Sequence, residues 1–204
     1  MKNNSALIAG GELIEAISDN LLLGDYGLLK DIPVFGTILG AANVYSTLKS
    51  RMFEKKIHAF LYEFNAEELS KFKKIINKKT DEDLGFEVLN VIDNVDKINQ
   101  VQMIARATKQ YVRSLEVGEN PKNIFDHNIH VIKNLDNYLI SGMHAIYSGQ
   151  ASIRISYVDQ ALFNLGLVNQ KNEPALAAAT SYPALSFVAS VNGEDFYKSI
   201  IVGE

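Results

Sequence analysis

The sequence predicts a mainly α-helical protein of 204 residues. Apolar residues recur at helical spacing along most of the chain, as in the stripe from Leu84 to Ile104. Asn65 stands three residues before Glu68, which is the spacing of a capping box at the start of a helix. An apolar content of 47% and a charged content of 22% are typical of a folded globular chain. We therefore predict a helical fold with a substantial apolar core.

An uncharged run from Ile32 to Leu48 is the most distinctive feature of the N-terminal part. Asp31 is a suitable N-cap, and Pro33 fits the first turn of the helix that follows. The apolar pattern continues at i, i+4 spacing to Phe64. We expect an apolar helical hairpin at about residues 1–64. The run is shorter than the roughly 20 apolar residues of a spanning helix, so single-pass insertion is not expected.

Gly36 and Gly40 within this run form a small-xxx-small pattern, which allows two helices to approach closely. One interpretation is a surface that enters a membrane or self-associates. The other is a buried central helix whose glycines admit a neighbouring helix. The candidate membrane or interface residues are Ile32, Phe35, Gly36, Leu39, Gly40 and Val44.

The stretch from residue 49 to residue 79 is richer in basic than in acidic residues. Such a cluster beside an apolar helix can bind anionic lipid or nucleic-acid phosphates, and it can equally be a solvated helix face. The candidate basic surface comprises Lys49, Arg51, Lys55, Lys56, Lys71, Lys73 and Lys74. Since the net charge is −4, the composition carries no general signature of nucleic-acid binding.

The middle of the chain reads as a helical bundle at residues 65–148. The capping box at Asn65 opens a short helix through Ile76. The apolar stripe that starts near Leu84 continues to about Leu115 as one helix. Pro121 opens a further long helix to about Ser148. We predict that the hairpin and this bundle form one helical domain, residues 1–148.

The composition changes near Gly149. A short helix ends at Gly166, which suits a left-handed C′ position. A β-type pair follows at Leu167–Val168, then a polar turn and a β-like segment at Ser186–Ala189. Ser190 or Asn192 is placed to cap the final helix. This order resembles the second half of a winged-helix domain, and it implies a small winged-helix-like α+β module at residues 149–204.

A DNA-reading role for this module is disfavoured by its charges. A reader needs cations on its recognition helix and wing. The basic residues after position 148 are Arg154, Lys171 and Lys198, and none of them lies in the short helix that ends at Gly166. We expect a protein-contact or packing module instead.

No motif for catalysis or for a cofactor is found. The chain has no cysteine, which excludes disulfides and thiolate nucleophiles and is consistent with a reducing cytosol. It contains no phosphate-binding loop, dinucleotide fingerprint, nucleophile elbow or zinc-protease motif. His127 and His130 share a helix face with Asp126, but His144 lies too far along the same helix to complete a metal site. We predict no enzyme, no cofactor and no metal.

Several segments together are similar to a block found in another group of proteins. They are Lys30–Gly40, Leu48–Phe64 with Asn65–Glu68, Leu165–Leu167 and Gly193–Ile201. The block resembles small bacterial helical proteins of uncharacterised function, some of them encoded beside phage-defence or abortive-infection genes. The resemblance implies a bacterial, mostly helical protein with a role in defence or stress, and it assigns no catalytic or ligand residue.

These features predict a non-enzymatic protein that acts by protein association or by membrane engagement through the 32–48 helix. One alternative is a nucleic-acid-binding regulator that uses the basic stretch at 49–79, and another is a scaffold subunit. The expected partner is a protein or a second copy, then an anionic membrane, then nucleic acid. The N-terminus lacks a signal-peptide pattern because Glu12, Glu15 and Asp19 interrupt it. We expect a cytoplasmic protein that can lie peripherally at the inner membrane.

Overall fold

A computed structural model describes residues 47–76, 82–149, 154–171 and 186–204. These residues form eight α-helices, one π-helical segment and a two-stranded antiparallel sheet. The prediction of a mainly α-helical chain is confirmed. The proposed N-terminal hairpin, about 1–64, lies outside the described residues except for its last helix.

The helices are named in chain order. The first four are α1 (Thr47–Tyr62), α2 (Ala66–Ile76), α3 (Glu82–Asn94) and α4 (Ile98–Glu116). The next three are α5 (Lys122–Asn134), α6 (Asn137–Tyr147) and α7 (Ser156–Asn164). Strands β1 (Val168–Lys171) and β2 (Ser186–Ala189) precede α8 (Val191–Phe196), which continues as a π-helix (Tyr197–Val202). The chain divides into two compact units, and the division falls between Pro121 and Lys122.

In the first unit α4 is the central helix, and α1, α2 and α3 all pack against it. Its core includes a cluster of three buried phenylalanines, Phe60, Phe64 and Phe72, with ring centroids 5.0 to 6.0 Å apart. Large aromatic side chains bury much apolar surface and so contribute strongly to folding. The cluster joins the end of α1 to α2.

The capping box predicted at the start of α2 is confirmed. The Asn65 side chain accepts a hydrogen bond from the Glu68 N–H at 2.9 Å, and the Glu68 carboxylate accepts one from the Asn65 N–H at 3.1 Å. Two N–H groups without partners inside the helix are thereby satisfied. This local chemistry fixes where α2 begins.

In the second unit α6 packs on α7 and on the π-helix, while α7 also contacts both strands. The strand register runs from Val168 opposite Ala189 to Lys171 opposite Ser186. Residues 169–171 therefore belong to β1, whereas the sequence suggested a polar turn from Asn169. Their side chains are exposed, so their polarity reflects the solvent side of a strand.

Gly166 ends α7 as predicted, with a left-handed φ of 74°. The Leu167 N–H donates to the Leu162 carbonyl at 2.9 Å, and the Gly166 N–H donates to the Phe163 carbonyl at 2.9 Å. This pair of bonds is the Schellman arrangement, which needs a left-handed residue and so favours glycine. It turns the chain from α7 directly into β1.

The cap of α8 is Ser190, which decides between the two predicted candidates. Its hydroxyl oxygen accepts a hydrogen bond from the Gly193 N–H at 3.0 Å. The Tyr147 hydroxyl donates to the Leu167 carbonyl and accepts from the Ser190 N–H at 3.1 Å. Tyr147 thus ties the end of α6 to the entry of β1 and to the cap of α8.

The apolar stripe from Leu84 to Leu115 forms two helices, so the prediction of a single helix is wrong. The break lies at Val95–Lys97, where Lys97 has an extended backbone. In the last turn of α3 the Asn94 side chain donates to the Asn90 carbonyl at 2.7 Å, a local side-chain bond that competes with helical backbone bonding. Buried Val95 keeps the apolar stripe continuous across the break, which explains why periodicity alone did not show it.

The long helix predicted from Pro121 to Ser148 is also two helices, α5 and α6. Asp136 is extended, and its carboxylate accepts a hydrogen bond from the Leu139 N–H at 2.8 Å. An aspartate N-cap starts a new helix, and buried Leu135 anchors the turn before it.

The division of the chain after Pro121 differs from the domain boundary predicted after residue 148. The contacts of α6 with α7 and with the π-helix account for this position. At Gly142 the two helices approach so closely that a Cβ would lie 2.5 Å from Val158 Cγ1. Helix α6 therefore belongs with the residues that follow it.

Candidate functional site

The six candidate membrane or interface residues lie outside the described residues. They are Ile32, Phe35, Gly36, Leu39, Gly40 and Val44. Within the described ranges, no helix is both long enough and apolar enough to cross a bilayer.

The candidate basic residues have different environments. Lys49 and Arg51 lie on α1, and their side chains are not described. Lys55 is exposed, whereas the neighbouring Lys56 is only 7% exposed. The Lys56 ammonium donates to the Asp93 carbonyl at 2.8 Å. A cation at the last turn of α3 satisfies a free carbonyl and interacts favourably with the helix dipole. Lys56 therefore has a structural role.

The three candidate lysines of α2 do not form a uniform set of free cations. Lys71 pairs with Glu67 at 2.9 Å and with Glu116 at 3.2 Å. These two carboxylates raise the pKa of Lys71 above its ordinary value. Lys73 is partly buried, and Lys74 is exposed. In this helix the acidic neighbours compensate part of the positive charge that the sequence suggested.

Ion pairs connect α4 to the end of α1. Arg106 binds Glu63 in a two-point arrangement, with Nε to Oε2 at 2.8 Å and Nη2 to Oε1 at 3.2 Å. The two side chains are 17% and 14% exposed. Lys109 donates to the Glu63 backbone carbonyl at 2.7 Å and so satisfies an orphan acceptor after α1. Charge-assisted paired bonds of this kind fix geometry strongly.

Glu68 connects α2 to the same face of α4. It lies 2.6 Å from Arg113 and 3.5 Å from Lys109. Burial alone would raise the pKa of Glu68. The Asn65 N–H, Arg113 and Lys109 outweigh this effect and hold the pKa below its ordinary value of 4.5. The carboxylate therefore stabilises the fold in its ionised form.

We expect the contribution of Glu68 to stability to be lost in acid. A carboxyl whose folded pKa is lowered stabilises the protein above its unfolded pKa, and this stabilisation disappears as the pH falls through the folded pKa. The Glu68→Gln variant should therefore be less stable than the wild type at pH 7, with a difference that shrinks below about pH 4.5. Urea unfolding at a series of pH values measures this difference. A difference that stays constant into acid would contradict the role of the charge.

A stacked pair of tyrosines joins the starts of α6 and α7. The Tyr138 and Tyr157 rings lie 12° from parallel with centroids 5.8 Å apart, and their hydroxyl oxygens are 2.6 Å apart. The side chains are 47% and 63% exposed. The hydrogen bond to Tyr138, with some desolvation, raises the pKa of Tyr157 above its ordinary value. The Tyr157 hydroxyl therefore stays protonated at physiological pH.

The outward side of α7 carries no charged group. Tyr157, Gln160, Phe163 and Asn164 share this side, since their spacing places them within about a third of the helix circumference. Asp159 is the one charged residue of α7, and it is buried against Arg154 with an O–N distance of 2.9 Å. We call Tyr138, Tyr157, Gln160, Phe163 and Asn164 the aromatic face.

The aromatic face rests on a rigid support. Val158 and Leu162, on the opposite side of α7, are buried. Phe163 packs on Phe187 of β2 with ring centroids 5.6 Å apart. The Gln160 side-chain amide donates to the Asn164 Oδ1 at 3.2 Å, which orders the polar part of the face. An exposed but well-supported aromatic surface is typical of a contact site.

The sequence did not identify the aromatic face. Two features of the sequence point to this face. Helix α7 lacks lysine and arginine, and its aromatic residues Tyr157 and Phe163 stand six positions apart. By itself, the absence of these cations argues only against DNA reading. The burial of Asp159 could not be read from periodicity, because its ion pair comes from Arg154 outside the helix.

His127 and His130 are exposed on α5, and the His144 Nδ1 lies 2.9 Å from the Tyr197 hydroxyl. In the part of the chain that the structure describes, no group of three or more histidine or acidic side chains is placed to hold a metal.

No protein-family model, no curated protein and no solved structure matches this chain.

Proposed function

We propose that this protein acts by protein association and not by catalysis. The observation that carries this proposal is the aromatic face, where Tyr157 and Phe163 are exposed on an uncharged side of α7 and Tyr157 stacks on exposed Tyr138 of α6. Tyrosine and phenylalanine are enriched in protein interfaces, and charged residues are depleted from their centres. Tyr138 and Tyr157 are the expected anchors of the contact.

The chemistry of the aromatic face favours a protein partner over nucleic acid or lipid headgroups. Phosphate binding requires cations, and α7 has none. The nearby Arg154 is occupied by Asp159 and by the Phe187 carbonyl. The aromatic face is neutral and offers aromatic rings, tyrosine hydroxyls and side-chain amides. It therefore fits a protein surface that combines apolar contacts with hydrogen-bonding groups.

We infer that residues 149–204 form a winged-helix-like module used for protein contact. The order of α7, Gly166, β1, β2 and α8 supports this inference, as does the antiparallel pairing of the strands. Helix α7 then occupies the position of a recognition helix, without the cations that DNA requires. Fluorescence anisotropy with duplex DNA at low salt should detect no binding. Salt-sensitive binding that falls when Lys71, Lys73 and Lys74 are neutralised would favour a nucleic-acid regulator instead.

Affinity co-purification tests the proposed association. Tagged full-length protein is isolated from its native cells, together with a Tyr157→Ser, Phe163→Ser double variant. The wild type should retain one defined protein at constant stoichiometry, either another chain or an untagged copy of itself. The double variant should lose most of it, because truncating interface anchors typically weakens binding by about 2 kcal/mol or more.

The matched control for this experiment is Tyr62→Ser. Tyr62 is 84% exposed on α1, outside the aromatic face, so its replacement should leave the complex intact. Circular dichroism of all three proteins verifies that they fold. Equal retention of the partner by the double variant and by the wild type would refute the proposed role of the face.

A second candidate function is membrane engagement by the 32–48 segment. Its support is the uncharged run from Ile32 to Leu48, with Lys49 and Arg51 directly after it. Flotation with anionic liposomes should then decrease with added salt and in Gly36→Asp or Leu39→Asp variants that fold. Variants that bind vesicles as the wild type does would exclude this function.

The biological setting belongs to the proposal as well. We propose a role in defence or stress, as the resemblance of segments such as Lys30–Gly40 to proteins encoded beside phage-defence genes implies. A scaffold subunit that simply holds other chains together is compatible with protein association, and the co-purified partner would distinguish it from a regulated effector.

A further inference from the structure

We propose that Tyr138 and Tyr157 form an oxidative crosslinking site, at which one-electron oxidants join the two rings as dityrosine and link α6 covalently to α7. The inference does not depend on the proposed function. It rests on the contact between the phenol groups, on their exposure and on the contrast with the Tyr147–Tyr197 pair.

The geometry brings two oxidisable rings together at the surface. The hydroxyl oxygens lie 2.6 Å apart and the rings are nearly parallel. The ring carbon that forms a dityrosine bond is adjacent to the carbon bearing the hydroxyl, so contact between the hydroxyls also brings these carbons near each other. About half of each side chain is open to solvent, which allows a diffusing oxidant to reach both rings.

A second tyrosine pair in the same unit provides an internal comparison. Tyr147 and Tyr197 also stack, with centroids 5.6 Å apart. Tyr197 is buried, however, and the Tyr147 hydroxyl is engaged by the backbone of Leu167 and Ser190. An oxidant in solution therefore reaches the first pair and not the second.

The chemistry balances with an external oxidant of the peroxidase or photo-oxidant class. Each phenol gives one electron to the oxidant and one proton to water, which leaves two neutral tyrosyl radicals. The radicals couple through one carbon–carbon bond between the positions next to the hydroxyls. Each coupled carbon then loses its hydrogen as a proton while each oxygen regains one, which restores both phenols. The product has lost two electrons and two protons.

The crosslink would close the chain between residues 138 and 157 into a covalent loop. Such a loop restricts the unfolded chain and so favours the folded state, as a disulfide does. This protein has no cysteine. A tyrosine pair would thus give it a covalent response to oxidising conditions, with a higher Tm for the crosslinked form.

Oxidation of the full-length protein by horseradish peroxidase and hydrogen peroxide tests the proposal. The wild type should yield a monomer lighter by two hydrogens, with dityrosine fluorescence and a crosslinked peptide pair containing residues 138 and 157. The Tyr157→Phe variant should lose all three signals. Tyr62→Phe is the matched control, since Tyr62 is more exposed than Tyr157 and has no ring contact among the described residues.

The outcome separates the proposed site from general tyrosine oxidation. The site is supported if Tyr62→Phe gives the same yield of crosslinked monomer as the wild type, while Tyr157→Phe loses at least about nine tenths of that yield. The proposal is overturned if crosslinking persists in Tyr157→Phe, if the wild type gives mainly intermolecular products, or if no crosslinked monomer forms while other tyrosines are oxidised.

Discussion

Replacement of Gly193 by alanine should destabilise the protein by about 3 kcal/mol or more, since overpacking of a buried site costs this much when backbone must move. A Cβ at this position would overlap the Leu167 carbonyl and the Tyr147 hydroxyl. Both groups belong to the junction of α6, β1 and α8. The substitution therefore forces the backbone apart and weakens the bonds of the Tyr147 hydroxyl, and urea unfolding measures the loss.

The matched control for Gly193→Ala is Asn192→Ala. Asn192 is exposed in the same helical turn, and its replacement should change the free energy of unfolding by no more than about 0.5 kcal/mol. Tyr147→Phe removes the hydroxyl and keeps the ring, so it should show an intermediate loss. Wild-type stability of Gly193→Ala would contradict the close packing of Gly193 against Leu167 and Tyr147.

Arg106→Gln should lower the free energy of unfolding by about 2 kcal/mol, which is the second largest loss that we expect. This value lies between the losses typical of buried and of surface ion pairs. The substitution leaves Glu63 largely enclosed without its two-point partner. Since Glu63 follows the last turn of α1, the loss should loosen the packing of α1 on α4. Chemical denaturation and protection of α1 amides from hydrogen exchange measure this effect.

Arg113→Gln on the same helix is the control for Arg106. Arg113 also binds a glutamate, Glu68, but its side chain is 63% exposed. Its replacement should cost about 0.5 kcal/mol, as is usual for an exposed pair. Equal losses in the two variants would show that enclosure does not decide the contribution of these ion pairs.

The parts of the fold that depend on local chemistry were predictable from the sequence. Asn65 and Glu68 carry their cap within four residues, and Gly166 is required by its left-handed backbone. Ser190 caps α8 for the same local reason. These features need no information about distant residues, which is why short patterns predict them correctly.

The errors arose where a local polar group interrupts a continuous apolar pattern. Asn94 and Asp136 stop and start helices through their own side chains, while buried Val95 and Leu135 preserve the periodicity. The spacing of apolar residues reflects which positions are buried, and buried positions continue across both turns. The spacing therefore does not reveal where a helix ends. A tertiary partner was equally invisible for Lys56, whose acceptor lies 37 residues away on α3.

The candidate site was only partly accessible from the sequence. The basic stretch was visible as composition, but the pairing of Lys71 with Glu116 depends on the packing of α2 against α4. The aromatic face could not be assigned, because Tyr138 and Tyr157 come from different helices. Their contact depends on the close approach of α6 and α7 at Gly142.

Photo-crosslinking from position 157 tests whether the aromatic face contacts another protein chain. A photoreactive phenylalanine analogue replaces Tyr157 in full-length protein expressed in its native cells, and a second sample carries it in place of exposed His127 on α5. We expect one discrete adduct from position 157, with a partner or with a second copy, and none of comparable yield from position 127. No adduct from position 157, or the same diffuse products from both positions, would contradict protein association through the aromatic face.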